Sequence, residues 1–185
     1  GHIPLHAELL AHFRQMAVDA GLPGLFLIAE NHDPKWDCVK AGFDAFVHVA
    51  GLQRRRSWVP WNRPFEKIRN WILQKLGRPS VRNYVADLNR FVPNDASPMA
   101  IPCVFSGWDN TPRSGTSGLV YVNASPAEFE KQVHRAMNRI IAAQTPLLFI
   151  KSWNEWAEGN HLEPCTRFGH GYLEALQRAL RINDQ

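Results

Sequence analysis

Several signatures that define whole classes of protein are missing from this 185-residue sequence. Its three cysteines, Cys38, Cys103 and Cys165, are widely separated and give neither a disulfide framework nor the paired spacing of a zinc site. No apolar run approaches the roughly 20 residues that a membrane-spanning helix needs. Neither G-x-G-x-x-G nor a P-loop is present. We therefore predict no disulfide scaffold, no membrane span and no cofactor.

The cysteines and the N-terminus together bear on location. Three unpaired cysteines are interpreted as free thiols, which fits a reducing compartment. The first 20 residues have the spacing of an amphipathic helix and not the pattern of a signal peptide. We therefore predict a cytoplasmic protein, unless truncation has removed an N-terminal signal.

The net charge of +4 is modest, and its densest element is Arg54-Arg55-Arg56, flanked by Trp58 and Trp61. This run has two interpretations, a solvated loop or a contact for phosphate or another anion. No recognised nucleic-acid module accompanies it, so we predict no nucleic-acid partner.

Apolar runs alternate with amphipathic stretches along the chain. After a first helix at 6–20, strands are predicted at 25–29, 44–50, 100–106 and 145–151. Helical segments are predicted at 34–42, 64–76, 126–143 and 168–181, with a weaker helix or an extended segment at 81–91. This alternation predicts an α/β fold of parallel strands joined by crossover helices, in a single domain over 1–185.

Polar residues gather where these predicted strands end, which is where active sites of parallel α/β folds lie. The clusters are residues 30–33, His48, residues 108–113 and residues 153–158. Glu30, His32, Asp33 and His48 sit on adjacent strand ends, but their spacing is not diagnostic of a metal site. We predict no metal.

The segment Ser152-Trp-Asn-Glu-Trp-Ala-Glu-Gly-Asn-His-Leu-Glu-Pro164 is the densest of these clusters. It combines carboxylates, an amide, a histidine and two tryptophans. Sugar chemistry uses this mixture, because glycosidases need two carboxyl groups and aromatic faces hold pyranose rings. The segment predicts a carbohydrate site.

Residues 153–164, followed by Phe168-Gly169 and Tyr172-Leu-Glu174, resemble the C-terminal signature of WbsX-type proteins, which are similar to glycoside hydrolase family 99. Gly107-Trp-Asp-Asn-Thr-Pro-Arg113 is a second match, and Gly21-Leu-Pro-Gly-Leu-Phe-Leu-Ile28 is a weaker third. The resemblance implies a (β/α)8 TIM barrel, of which this chain would supply the C-terminal half. A half barrel exposes strand edges, so we expect self-association or pairing with an N-terminal half.

The resemblance also assigns catalytic roles. Glu155 matches the residue that deprotonates the sugar 2-hydroxyl to give a 1,2-anhydro sugar, and Glu158 matches the general acid and base. The implied activity is a retaining, endo-α-mannosidase-like glycoside hydrolase acting on α-linked manno-configured glycans. The alternative for both glutamates is a surface loop held by salt bridges.

Other residues of the two motifs have open alternatives. Trp108, Trp153 and Trp156 would stack on a sugar or belong to the core, and Trp156 alternates with Glu155. Substrate contacts are also predicted from a set of polar residues: Asp109, Arg113, Asn154, Asn160 and His161. Asp109 and Arg113 would alternatively pair with each other, and Glu163 would bond to backbone before Pro164.

Two other functions compete with hydrolysis of an oligosaccharide or polysaccharide. WbsX-type proteins are usually named glycosyltransferases of bacterial lipopolysaccharide O-antigen or capsule assembly. No Asp-x-Asp motif for a sugar nucleotide is present, which favours hydrolysis or transglycosylation. A non-catalytic carbohydrate-binding or interaction module would keep the tryptophans and lose turnover.

Overall fold

The computed structural model describes residues 4–49, 64–141 and 146–181. The basic run Arg54-Arg55-Arg56, with Trp58 and Trp61, lies outside these ranges. The helices are α1 (Pro4–Asp19), α2 (Pro64–Lys75), α3 (Tyr84–Phe91), α4 (Thr111–Ser114), α5 (Pro126–Ile141) and α6 (Gly171–Arg181). The strands are β1 (Ile28–Asn31), β2 (Ala45–His48), β3 (Ser80–Asn83), β4 (Ala100–Phe105), β5 (Leu119–Val122), β6 (Phe149–Lys151), β7 (Asn154–Glu155) and β8 (Asn160–His161).

The main sheet is parallel and has the order β1-β2-β4-β6. The predicted α/β class with crossover connections is therefore confirmed. Each of these strands pairs with the next one along the chain in the same sheet, so successive crossovers step in one direction. A TIM barrel wall has the same sequential order. The carboxyl ends of the four strands consequently lie along one edge, where the polar clusters were predicted.

A second parallel pair, β3 with β5, was not predicted. Residues 81–91 were predicted as one segment, but they divide into the end of β3 and helix α3. Residues 34–42 were predicted to be helical, and this was wrong, because they form turns. Both errors concern short segments, in which too few turns of a helix or strand are present for side-chain spacing to discriminate well.

The larger core cluster lies under the C-terminal part of the sheet. It joins β4 to α3, α5 and α6 through large side chains that are almost fully buried: Tyr84, Phe91, Phe105, Phe129 and Tyr172. Gln132 of α5 is also fully buried, and its Oε1 accepts a hydrogen bond from the Phe105 backbone N–H at 3.0 Å. This bond ties α5 to the last residue of β4, immediately before the Gly107–Arg113 motif.

The helix α5 begins as its sequence predicts. The Ser125 hydroxyl accepts a hydrogen bond from the Glu128 backbone N–H at 3.3 Å, and Pro126 occupies the first helical position. A cap of this kind satisfies an N–H group that the helix itself leaves unpaired. The start of the helix that supports β4 is thus fixed.

The N-terminal helices leave apolar faces uncovered by the described residues. Phe13 of α1 is exposed, and so are Phe65 and Ile68 of α2. On the β6 edge of the sheet, Phe149 is 41% exposed. Phe65 and Ile68 are about one turn apart on α2, and apolar side chains grouped in this way are typical of a surface that other chain segments cover. Among the described helices, none has both the length and the apolar character required to cross a membrane.

Candidate active site

A short hairpin after β6 carries both predicted catalytic glutamates. It consists of β7, a 3₁₀ turn at Trp156–Glu158, and β8, with Glu155 paired opposite Asn160. Gly159 takes φ 58° at the end of the turn. A Cβ at Gly159 would lie 3.1 Å from the Asp109 Cβ and backbone N, so glycine is required for the close approach.

The hairpin is attached to the loop that follows β4. The Asp109 backbone N–H donates to the Glu158 carbonyl oxygen at 2.7 Å. The Ser106 hydroxyl donates to the His161 carbonyl oxygen at 2.8 Å and accepts from the His161 N–H at 3.0 Å. The two sequence motifs, more than 40 residues apart, therefore form one structural unit.

Arg113 joins the two glutamates. Its Nη2 donates to Glu155 Oε1 at 2.9 Å, and its Nη1 donates to Glu158 Oε1 at 3.3 Å. Lys151 Nζ lies 3.7 Å from Glu158 Oε2. Glu155 and Glu158 are thus brought together, although residues three apart on a continuous strand would face opposite sides. The bend at Trp156–Glu158 makes the convergence possible.

The predicted alternative of an ion pair between Asp109 and Arg113 was wrong. Asp109 Oδ1 instead accepts hydrogen bonds from the Thr111 N–H at 2.9 Å and the Thr111 hydroxyl at 2.6 Å. This local pattern is the usual way in which an aspartate stabilises a turn two residues onward. The Arg113 side chain, which is 54% exposed, therefore contacts the hairpin glutamates and not Asp109.

Trp156 and His161 form a stacked pair. Their ring centroids are 3.7 Å apart, with an interplanar angle of 19°. Trp156 Nε1 donates to Glu163 Oε2 at 2.7 Å. The Glu163 side chain therefore bonds to the Trp156 indole and not, as predicted, to the backbone before Pro164. Burial lowers the pKa of His161, which favours the neutral ring.

The other predicted contacts differ in exposure. Trp108 is only 6% exposed, and Lys151 Nζ lies 5.1 Å from its ring centroid. Trp153 and Asn154 are exposed. Asn160 is fully buried, and its amide has no hydrogen-bond partner among the described residues. Sequence reasoning missed Lys151, although a cation ending an apolar strand just before two carboxylates was a usable signal.

The ends of β1 and β2 carry the two histidines that were weighed as metal ligands, His32 and His48. His32 Nδ1 lies 3.0 Å from the Val49 carbonyl oxygen. His48 is buried, and desolvation lowers its pKa to about 4. Within residues 4–49, 64–141 and 146–181, no three His, Cys, Asp or Glu side chains are grouped as metal ligands would be.

The sequence matches the family model described as "Glycosyltransferase WbsX" over residues 1–176. The chain belongs to the WbsX family. The family resemblance inferred from the two motifs is thereby confirmed. Its glutamate hairpin and its Gly107–Arg113 loop both lie inside the matched range.

Two curated relatives share part of this WbsX chain. Both are described as "Uncharacterized protein WxcX", from the B100 and ATCC 33913 strains of Xanthomonas campestris pv. campestris. Each is 40% identical over 82 residues, which is 43% of this chain and 12% of the relative. The matched segment thus spans a small part of these proteins.

One solved structure has the same fold over about half of a larger protein. A "Glycoside hydrolase-like protein" aligns with a TM-score of 0.60 and 16% identity, covering 94% of the WbsX chain and 49% of its own. A GH99 endo-alpha-mannosidase from Bacteroides thetaiotaomicron aligns with a TM-score of 0.42 and 16% identity, covering 87% and 44%. The first of these similarities establishes the fold.

We expect Arg113→Lys to lower kcat about 10- to 100-fold with a small change in KM. A lysine ammonium lacks the planar fork that contacts both carboxylates of the WbsX site at once, so their positions would shift. Steady-state kinetics on an oligosaccharide substrate would measure the effect. Arg178→Lys is the matched control, because Arg178 contacts a single carboxylate, that of Glu130, through Nε and Nη2 outside the site. Equal losses in the two variants would contradict a positioning role for Arg113.

Proposed function

We propose that this WbsX protein carries the catalytic half of a retaining glycoside hydrolase-like enzyme that acts on α-linked manno-configured glycans. The observation that carries the proposal is the convergence of Glu155 and Glu158 on one guanidinium at the carboxyl edge of the parallel sheet. Two carboxyl groups that can reach the same glycosidic bond are the minimum requirement for its cleavage by this chemistry.

In the first step, the Glu155 carboxylate removes the proton from the sugar 2-hydroxyl. The 2-oxygen then attacks C1 and closes a 1,2-anhydro ring as the bond from C1 to the leaving oxygen breaks. Glu158 donates its proton to that leaving oxygen. Axial 2-oxygen geometry allows attack from the face opposite an α-linked leaving group, which is why the proposal names manno-configured sugars.

In the second step, water opens the anhydro ring at C1. The Glu158 carboxylate takes a proton from the water, and Glu155 returns its proton to the 2-oxygen. Both glutamates regain their starting states, and two inversions at C1 give net retention. No cofactor is required by this sequence of proton transfers.

Arg113 and Lys151 supply the positive charge around this pair. Arg113 contacts both glutamates, so it sets the positions of base and acid relative to each other. Lys151 reaches the second oxygen of Glu158. An incoming 2-hydroxyl must approach Glu155 beside the Arg113 guanidinium, which would also stabilise negative charge developing on the 2-oxygen.

Glycosyl transfer is the second candidate, and the description of the family favours it. A sugar hydroxyl in place of water would open the same anhydro ring, and the roles of both glutamates would be unchanged. The two candidates therefore differ in the acceptor, and a sugar-nucleotide donor would indicate a different mechanism.

The proposal is tested by product analysis with α-mannosyl and α-rhamnosyl oligosaccharides, with and without added acceptor sugars. Reducing ends released with retained configuration would support hydrolysis, and longer products would support transfer. Binding without turnover would favour a non-catalytic module, and transfer only from a sugar nucleotide would contradict the proposal.

We further propose that the uncovered sheet edge pairs with the remaining half of the family's domain. The support is the exposed Phe149 on β6, together with the alignment to 49% of a glycoside hydrolase-like structure. We expect sedimentation to show a complex when that half is supplied, and self-association when it is not. A monodisperse monomer that does not bind the added half would contradict this pairing.

A cytoplasmic location also stays a prediction, and the state of the thiols is consistent with it. Cys38 and Cys103 are buried, and desolvation raises the pKa of Cys103 to about 11. Such thiols are unreactive and do not require an oxidising compartment.

A further inference from the structure

A cavity lies beside the hairpin, and neither of the proposed catalytic glutamates lines it. Its volume is about 580 Å³, inside the roughly 300–1,000 Å³ that is common for ligand pockets. The hairpin contributes Trp156, Gly159 and His161, and the β4 loop contributes Trp108. Residues 120–124 and 165–168 complete most of the wall. We call it the hairpin cavity.

We propose that the hairpin cavity is a glycan-binding subsite, separate from the carboxylate pair, in which a neutral sugar residue stacks on Trp156. Only the class of ligand is taken from the proposed function, on which this inference rests to that extent. The carboxylate pair and Trp156 belong to the same short hairpin, so the hairpin cavity and the proposed reaction site are parts of one structural unit.

The first support is the fixed orientation of Trp156. His161 covers one face of the indole in a near-parallel stack, and the Glu163 carboxylate holds Nε1. The side chain is nevertheless 48% exposed. An exposed tryptophan held at two points offers a flat apolar surface at little entropic cost, which suits the C–H face of a pyranose ring.

The second support is a set of buried polar atoms that lack partners. Trp108 Nε1 and both ring nitrogens of His161 are buried, and none has a hydrogen-bond partner in the described part of the chain. Trp108 and His161 both line the hairpin cavity. Buried polar atoms are rarely left unpaired, so these are places where ligand hydroxyls would bond.

The character of these atoms also fits sugar hydroxyls. An indole N–H only donates, whereas a neutral imidazole has one donor and one acceptor nitrogen. A hydroxyl can both accept and donate, so neighbouring hydroxyls of one sugar ring can satisfy this mixture. Burial lowers the pKa of His161 and so favours its neutral form.

The charge of the lining argues against an anionic ligand. Arg167 is the single Lys or Arg among the described lining residues, and Asp109 is the single carboxylate. A phosphate or nucleotide site would be expected to gather several cations or backbone N–H groups. One charge of each sign, with an aromatic face, favours an uncharged polar ligand.

The test is a ¹H–¹⁵N NMR titration of the tryptophan indole N–H signals with α-1,2-mannobiose and with an α-rhamnobiose. Trp→Phe variants assign the signals. We expect the Trp108 and Trp156 signals to shift with one of these sugars. Trp156→Ala should weaken binding about tenfold or more. Trp71→Ala, an exposed tryptophan on α2, is the matched control and should bind normally.

Glu158→Gln separates this inference from the proposed function. The variant should lose turnover and still shift the Trp108 and Trp156 signals, since Glu158 does not line the hairpin cavity. If Trp156→Ala fails to fold, as circular dichroism would show, Glu163→Ala provides the second variant, because it removes the acceptor of the Trp156 indole N–H and should also weaken binding. Unchanged signals with both sugars up to their solubility would overturn the proposal. Binding lost in Glu158→Gln and kept in Trp156→Ala would overturn it as well.

Discussion

Glu158→Gln is expected to lower kcat on an oligosaccharide by about 10²- to 10⁴-fold, the usual contribution of a general acid and base. A glutamine amide is close in size to the carboxyl group but cannot give a proton to the leaving oxygen. A nitrophenyl glycoside has a leaving group that departs without protonation, so cleavage of its bond should be much less affected. Rates on the two substrates, measured side by side, provide the check.

The matched control for this variant is Glu174→Gln, an exposed carboxylate on α6 that lies outside the hairpin. It should retain wild-type rates on both substrates. If Glu158→Gln lowers the rate equally on the oligosaccharide and on the nitrophenyl glycoside, Glu158 is not the general acid.

Glu155→Gln should lower the rate by a similar factor, but on both substrates alike. The base acts on the 2-hydroxyl, whose proton must leave whatever the leaving group is, so a better leaving group gives no relief. Arg113 would lose one of its two negatively charged partners, and a small change in KM is also expected. Steady-state kinetics on the same pair of substrates distinguishes this pattern from that of Glu158→Gln.

A substrate with a methyl ether at the 2-oxygen gives an independent check of the base. It has no 2-hydroxyl proton, so the wild-type protein should bind it and not cleave it. Rapid cleavage of the glycosidic bond in the 2-O-methyl substrate would show that Glu155 does not deprotonate the 2-oxygen. Recovery of the wild-type rate by Glu155→Gln on a nitrophenyl glycoside would show the same.

The main sheet could be predicted because its signals are local. All six residues of β4, Ala100–Phe105, are buried, so the strand appears in the sequence as an unbroken apolar run between turn residues. The cap at Ser125 marks the start of α5 in the same way. The strands β3 and β5 escaped prediction because each has four residues and is buried on alternate positions only.

Most residues of the candidate site could be named from the sequence, with Lys151 as an exception, but the contacts between them could not be predicted. The spacing within residues 153–164 and the Gly107–Arg113 motif named the residues that the structure brings together. Arg113 nevertheless lies 42 positions before Glu155, and no sequence pattern states which of several carboxylates a distant guanidinium will contact. Asp109 was the nearer candidate, but its own turn uses the carboxylate.

Gly159 has a consequence for how this family can change its specificity. Its backbone is in close contact with Asp109, and the Asp109 N–H holds the Glu158 carbonyl, so the two loops cannot slide past each other. A substitution in residues 107–113 that shifts this loop would therefore move Glu158 with it. A change in the loop after β4 would thus alter the position of the Glu158 carboxylate while every residue of the hairpin stays unchanged.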